Sequence, residues 1–247
     1  MRTVLSAALA AAFLTLSTTL VGAASLQVSP VSVEIPAPGA SAILKLRNEG
    51  TVALNAQVRV FRWSQVNGEE KLEPTDDVVA SPPLVSLAPK SDYTVRLVRV
   101  TKQPLSKGET YRLLVDELPD PKQQRSGAVT IVLRYSIPVF FYSLDAAEAK
   151  LAWSVEQRSG RTFVTATNNG DRHVRISTLK LRKGNGTTIS FGNGLTGYVL
   201  GRSIMRWSAS NSASSKTSGI GTGGSIVISA QGDHGPINAT ASMQPAR

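Results

Sequence analysis

The side chains that could act as nucleophiles or metal ligands are few and widely separated. His173 and His234 are the only histidines, and neither has a carboxylate at the spacing that a metal site uses. The chain contains no cysteine, and none of its serines lies in a Gly-x-Ser-x-Gly turn. The sequence therefore predicts neither a metal site nor a nucleophilic enzyme.

The acidic residues and glycines do not suggest catalysis either. Asp76–Asp77 and Asp116–Glu117 are adjacent pairs, and adjacent side chains in a strand point to opposite faces rather than converging as an acid and a base. The segment Gly221–Gly224 lacks the lysine of a phosphate-binding loop. These features favour a binding protein over an enzyme, and no cofactor is expected.

The strongest pattern is an alternating apolar strand between Gly127 and Tyr142. One face carries an apolar or aromatic residue at every second position, namely Val129, Ile131, Leu133, Tyr135 and Ile137. The opposite face is mixed, and Pro138 near the end of the strand cannot donate to a sheet ladder. Such a strand suits the edge of a sheet.

A long apolar edge strand attracts other chains unless something covers it. One interpretation is that Val129, Ile131 and Leu133 fill the core of this protein. The other is that a partner covers them. The charged loop 120–127, which lies just before the strand, would let the first half of the strand reach outward.

The N-terminal segment predicts export. Arg2 is followed by a long uncharged run that ends in the small residues Gly22-Ala23-Ala24, which is typical of a cleaved signal peptide over residues 1–24. Nothing later in the sequence resembles a membrane span, so no stable membrane insertion is expected. A secreted protein follows from this pattern.

The net charge is +10, from 27 basic and 17 acidic residues. Such a charge is compatible with nucleic acid, a membrane surface or an acidic protein partner. The basic residues are scattered among the predicted strands and are not clustered with stacking aromatics. Nucleic acid is therefore not an expected partner.

The rest of the chain predicts an all-β protein with two immunoglobulin-like sandwiches. Short apolar runs are separated by turn residues, and we find no helical pattern. The runs before the alternating strand are Leu26–Ile35, Ala42–Arg47, Leu54–Ser64, Val78–Val85, Tyr93–Val100 and Thr110–Leu118. We expect a first domain over 25–142, a polar linker over 143–150 and a second domain over 151–247.

Several segments, taken in order, resemble the periplasmic pilus-assembly chaperones of the chaperone/usher pathway. They are Leu26–Pro30, Tyr93–Arg99, Tyr111–Pro119, Ile137–Phe140, Asn168–Gly170 and Gly197–Leu200, with Trp207 after them. The resemblance covers essentially all of the chain after the signal peptide. It implies two immunoglobulin-like sandwiches arranged in an L and a non-catalytic chaperone.

The resemblance also implies donor-strand complementation, in which the chaperone adds its edge strand to a pilin subunit whose own sandwich lacks one. The donor side chains would be Val129, Ile131 and Leu133. The partners would be pilin subunits and an outer-membrane usher, to which the chaperone delivers them.

Family members hold the C-terminal carboxylate of the subunit with two cations in the cleft between the domains. This sequence has Ser32 and Pro138 at those positions, and neither can pair with a carboxylate. Arg112 is the first candidate for a replacement, followed by Arg134 and Arg99, because a guanidinium can bind a carboxylate with two hydrogen bonds.

The resemblance further implies a polar contact between the domains. Glu117 matches the acidic residue of that contact, but Tyr142 stands where the family has its basic partner. A hydrogen bond from the Tyr142 hydroxyl is the remaining candidate.

Two other functions remain open on the sequence alone. One is a secreted two-domain pilus subunit or adhesin, although the short N-terminus offers little donor extension. The other is a basic sandwich that binds acidic glycans.

Overall fold

Apolar and polar residues alternate with a period of two through most of the chain, and the corresponding segments form strands. The structure is a computed structural model that describes residues 25–119, 131–184, 186–210 and 225–244. Within these ranges it contains eighteen β-strands and no helix. The expectation of an all-β protein is confirmed.

The first sandwich is formed by ten strands. They are β1 (Leu26–Ser29), β2 (Val33–Pro36), β3 (Ser41–Asn48), β4 (Leu54–Val66), β5 (Glu69–Pro74), β6 (Val78–Ser81), β7 (Leu84–Leu87), β8 (Asp92–Arg99), β9 (Gly108–Leu118) and β10 (Arg134–Tyr142). One sheet has the order β1-β3-β8-β6, and the other has the order β2-β10-β9-β4-β5, with β7 paired to β4. The predicted run Leu26–Ile35 is therefore two strands, one in each sheet.

The core of the first sandwich lies between these two sheets. It is built from the inward-facing residues of both, including Leu44 and Leu97 from the first sheet and Leu113 and Ile137 from the second. Since successive residues of a strand face opposite ways, the intervening residues of β4, β9 and β10 form an outer face. Part of that outer face, around Trp63 and Phe140, contacts Tyr198 and Leu200 in the second half of the chain.

The second sandwich is formed by eight strands. They are β11 (Leu151–Arg158), β12 (Arg161–Asn168), β13 (Val174–Lys183), β14 (Thr188–Ser190), β15 (Leu195–Val199), β16 (Ile204–Ser210), β17 (Ser225–Gly232) and β18 (Gly235–Gln244). They form a continuous sheet in the order β14-β13-β17-β18-β11-β12-β16, with β15 paired to β13. A separate core that includes Val164, Ile176, Leu181 and Ile228 lies inside it.

The predicted alternating strand is shorter than the pattern suggested. β10 begins at Arg134 rather than at Gly127, and residues 131–133 are described without strand assignment. Residues 127–130 lie outside the described part of the chain. The observed strand therefore starts close to the point where the side chains of the predicted strand become exposed.

Candidate functional site

One flank of β10 is only partly covered. β9 pairs with β10 along its whole length, from Arg134 opposite Asp116 to Tyr142 opposite Gly108. On the other flank, β2 pairs with β10 only from Val139 to Tyr142. Among the described residues, the segment from Arg134 to Pro138 thus has a strand on one side and none on the other. Its backbone groups on the free side are available to an added strand.

The side chains just before β10 become more exposed with distance from the core. Leu133 is partly buried and packs against the first core. Ile131 is 84% exposed, and Val132 between them is also exposed. Val129, the third residue of the predicted donor set, lies outside the described residues. An exposed branched side chain next to a free sheet edge is the arrangement that strand addition requires.

Arg112 lies on the outer face of β9, in contact with the second sandwich. Its guanidinium lies 3.7 Å from the ring centroid of Trp63 and 5.3 Å from that of Tyr198. Its side chain is only 11% exposed, and its ion pair with Glu70 is long, at 3.5 Å from Nη2 to Oε1. Burial lowers the pKa of Arg112, and the nearby Glu70 opposes that effect. A carboxylate placed against this guanidinium would offset the loss of its hydration.

Arg112 lies beside one of the two positions at which the resemblance implies a cation. Pro138 of β10, which occupies the position of one family cation, lies directly opposite Arg112 in the register of the two strands. Ser32, at the other position, is exposed just before β2. A cation is therefore present next to the expected place, supplied by the neighbouring strand.

The other two candidate arginines are engaged elsewhere. Arg99 binds both carboxylate oxygens of Glu109, at 2.8 and 2.7 Å, and donates to the carbonyls of Thr101 and Gln103. Arg134 is bound to Asp116 and is otherwise mostly exposed. Of the three candidates, only Arg112 is both buried in the cleft and weakly paired.

Aromatic side chains connect the two sandwiches. Trp63 of β4 and Phe140 of β10 form a buried cluster with Tyr198 and Leu200. The rings of Trp63 and Tyr198 meet edge to face, with 5.5 Å between centroids. Gln65 donates to the carbonyl of Tyr198 at 2.8 Å and accepts from the amide of Leu200 at 3.0 Å. The cleft beside Arg112 is therefore held by packing and by buried hydrogen bonds.

The tip of the β4–β5 hairpin forms a further contact. Gly68 pairs with Met205 of β16, and its carbonyl accepts a hydrogen bond of 3.1 Å from the amide of Arg206. Gly68 has a φ of +85°, and a Cβ at this position would lie 2.9 Å from the Cβ of Arg206. Both the backbone conformation and the close approach favour glycine here.

The structure places only one of the two predicted interdomain residues at this contact. The ring centroid of Tyr142 lies 4.0 Å from the guanidinium of Arg172, so Tyr142 contacts Arg172 through its ring rather than its hydroxyl. Arg172 also pairs with Glu34 of β2 at 3.2 Å. The structure does not bring Glu117 to the second sandwich, because its carboxylate accepts from the amide of Leu133 in the first.

His173 is buried in the same contact. Its ring stacks on Phe140 with 3.4 Å between centroids and 5° between planes. Burial lowers the pKa of His173 to about 4, and Asp233 opposes this effect. The charged or titratable side chains around it are Glu34, Arg172, Asp233 and His234. His173 is therefore neutral at neutral pH and acts as an apolar stacking partner.

Sequence reasoning missed Trp63, Gln65, Phe140 and Tyr198. One available signal was the adjacent pair Phe140–Phe141, because only one of two neighbouring aromatics in a strand can face its own core. The other aromatic then has to be covered by something else. Which residues of the second sandwich cover it could not be read from local patterns.

Two further properties concern the described residues as a whole. No group of three or more potential metal ligands is found among the side chains that the structure describes. In the same ranges of the chain, no helix has the length and apolar character needed to cross a membrane.

Comparison with known proteins identifies the first sandwich. Residues 25–142 match the family model of the pili and flagellar-assembly chaperone, PapD N-terminal domain. No curated protein matches the sequence.

Solved structures match over both sandwiches. In the complex of the chaperone CsuC with the tip adhesion subunit CsuE from the archaic Csu pili of Acinetobacter baumannii, the matched chain is 24% identical, with a TM-score of 0.67 and coverage of 90% of this chain and 100% of that one. The CupB2 chaperone of Pseudomonas aeruginosa is 17% identical, with a TM-score of 0.54 and coverage of 87% and 100%. The complex of the Salmonella enterica SafA pilin with the SafB chaperone contains a chain that is 16% identical, with a TM-score of 0.59 and coverage of 87% and 96%.

These structural similarities establish the fold over nearly all of the described chain, and the family model spans every strand of the first sandwich. The first sandwich therefore belongs to the PapD N-terminal domain family of pili and flagellar-assembly chaperones, and the described chain as a whole shares the fold of solved pilus chaperones.

Proposed function

We propose that this protein captures pilin subunits in the periplasm by donor-strand complementation and delivers them to an outer-membrane usher. The observation that carries this proposal is the free flank of β10 from Arg134 to Pro138, which continues into the exposed Ile131. Two of the similar solved structures are complexes of a chaperone with a pilus subunit. Their fold relationship to this chain supports the same class of partner.

The donor side chains in this proposal are Val129, Ile131 and Leu133. Burying three branched apolar side chains in a subunit groove contributes roughly 5 to 9 kcal/mol before ordering costs. Ile131 loses nothing in its own fold on binding, since it has no core contact to give up. Leu133 already packs partly against the chaperone core, so it gains less.

Arg112 is the proposed anchor for the C-terminal carboxylate of the subunit. Its guanidinium is buried, is oriented by the ring of Trp63 and has only a long contact to Glu70. A carboxylate would form two charge-assisted hydrogen bonds with it. Its place opposite Pro138 sets the anchor directly beside the donor strand.

The remaining parts of the proposal concern export and chain organisation. Residues 1–24 are a signal peptide that is removed on export, as their basic start, uncharged run and small residues at the end support. The first domain covers 25–142, the linker 143–150 and the second domain 151–247. Because the chaperone delivers its subunits to the outer-membrane usher, the usher is its second partner.

Strand addition can be tested with two matched variants. Ile131→Asp places a charge on the donor strand, whereas Leu144→Asp places the same charge at a residue that is 78% exposed beyond β10. Both variants should fold, because neither side chain contributes to a core. When each is co-expressed with the pilin encoded beside its gene, Leu144→Asp should yield the complex and Ile131→Asp should not. Equal recovery with both variants would refute the proposal.

A pilus subunit is the alternative in the same pathway. Such a subunit needs a sandwich that lacks a strand, and its core would be open on that side. The first core of this chain is instead lined by both of its sheets among the described residues. This observation favours the chaperone.

A further inference from the structure

An ion-pair cluster lies where β10 begins. Asp116 of β9 is 8% exposed and is contacted by an arginine from each neighbouring strand. Arg59 of β4 donates from Nη2 to its Oδ2 at 2.6 Å, and Arg134 of β10 donates from Nε to its Oδ1. The three residues lie on the outer face of three adjacent strands. One carboxylate therefore ties the first residue of β10 to two other strands.

Glu117 adds a second attachment one residue further along. Its backbone amide donates to the carbonyl of Leu133 at 2.9 Å, and its carboxylate accepts from the amide of Leu133 at 3.3 Å. The backbone amide and the backbone carbonyl of Leu133, the last residue before β10, are thus both hydrogen-bonded to Glu117. The Glu117 side chain thus supplies the partner for the Leu133 amide at the point where the backbone pairing of β9 with β10 stops.

The attachment coincides with a change in exposure. Leu133 is partly buried, whereas Ile131, two residues earlier, is almost fully exposed. The register of the later part of β10 is already fixed by the buried Ile137, Val139 and Phe141. The cluster around Asp116 therefore acts on the start of the strand and not on its register as a whole.

We propose that Asp116 and Glu117 clamp the donor strand at Leu133 and Arg134, and so set the point at which it leaves the chaperone to enter a subunit. This inference rests on the proposed function. It gives Arg134 and Glu117 a positioning role in place of the carboxylate and interdomain contacts expected from the sequence. A strand held at this point presents Ile131 in an extended direction and leaves fewer residues to be ordered on binding.

The effect of the clamp should be modest and measurable. A partly exposed ion pair contributes about 0.2 to 1 kcal/mol, which corresponds to a factor of up to about fivefold in local opening. Arg134 is suited to substitution, because its side chain is 62% exposed and its loss leaves Asp116 paired with Arg59. Arg47, which pairs with Glu49 and Asp92 on the other sheet, is a matched control.

The experiment compares Arg134→Gln, Glu117→Ala and the control Arg47→Gln in the full-length protein. Hydrogen exchange of the Glu117 amide reports the bond to Leu133 without any partner. Stopped-flow capture of the refolding pilin encoded beside its gene reports function, and thermal unfolding reports global stability. Arg134→Lys tests whether restoring the charge restores the rate.

We expect the backbone amide of residue 117 to exchange about two- to fivefold faster, relative to its intrinsic rate, in both Arg134→Gln and Glu117→Ala. Capture should slow by a similar factor, with little change in thermal stability. Arg47→Gln should leave both rates unchanged, and Arg134→Lys should recover most of the capture rate.

Unchanged exchange at Glu117 would overturn the clamp itself. Faster exchange with unchanged capture would overturn its role in presenting the strand. If the unmodified protein captures no pilin at all, the proposed function fails instead, while the exchange data still decide whether the clamp exists.

Discussion

Replacing Arg112 by alanine should abolish most of the preference for a free carboxylate at the C-terminus of a bound subunit. The Arg112 side chain is only 11% exposed, and its guanidinium lies 3.7 Å from the ring centroid of Trp63. A carboxylate bound there would be largely desolvated. Removing one partner of such a pair typically costs about 2 to 5 kcal/mol, or roughly 30-fold to several thousandfold in affinity.

A second substitution separates the contribution of the Arg112 charge from that of its planar, stacked guanidinium. Arg112→Lys keeps the charge but loses the planar fork and much of the stacking on Trp63. Cation–π stacking at a desolvated site contributes about 0.5 to 2 kcal/mol. The lysine variant should therefore fall between the native protein and the alanine variant.

The assay is calorimetric titration with the C-terminal segment of the pilin encoded beside its gene, prepared once as a free acid and once as an amide. A matched control is Arg206→Ala, because Arg206 also stacks on an aromatic ring, at 4.1 Å from Phe163, and pairs with Glu156. The native protein and the control should prefer the acid, and Arg112→Ala should lose most of this preference. An unaltered preference in Arg112→Ala would refute the anchor, even if the complex still forms.

Three further predictions concern the cleft and the contact between the sandwiches. Glu70→Gln should tighten binding of the free-acid peptide several-fold, because it removes the carboxylate that competes for Arg112. The control Glu73→Gln, on the same hairpin, should leave binding unchanged. Weaker binding in Glu70→Gln would contradict this prediction. His173 has a folded-state pKa of about 4 against 6.5 in the unfolded chain, so the unfolded state takes up a proton first as the pH falls. The free energy of unfolding should be unaffected above pH 7 and should drop by about 2 kcal/mol by pH 5, and His173→Phe should remove that component in urea titrations at both pH values. Gln65→Ala leaves the Tyr198 carbonyl and the Leu200 amide unpaired and should lower the free energy of unfolding by about 1 to 3 kcal/mol. An unchanged free energy of unfolding would show that these two hydrogen bonds have no structural role.

Local patterns were sufficient for the fold class and for part of the site. Alternation of apolar residues predicted strands, and the proline in β10 together with the long apolar run predicted a sheet edge. Arg112 could be chosen because it lies on the strand expected to pair beside the donor. Each of these inferences depends on residues that are close in sequence or on one pairing between neighbouring strands.

Other features depend on contacts that no local pattern encodes. Pro30 lies in the middle of an apolar run. The part of the run before it forms β1 in one sheet, and the part after it forms β2 in the other sheet, because each part pairs with different, distant strands. Glu117 was assigned to the contact between the domains by resemblance, yet its carboxylate accepts a hydrogen bond from the amide of Leu133 in the first sandwich. The aromatic contact of Trp63 with Tyr198 joins residues from different sandwiches, so it could not be found before the two were placed together.

A site-specific cross-link can show whether the strand leading into β10 enters the subunit. The chain has no native cysteine, so Ile131→Cys gives a single thiol on the exposed approach to the free edge. The pilin would carry one cysteine in the groove of its incomplete sandwich. A disulfide should form between the two in the purified complex, and none should form when the chaperone cysteine is placed at Leu144. Efficient formation of the complex with no cross-link at position 131 would show that another surface holds the subunit and would contradict donor-strand complementation by β10.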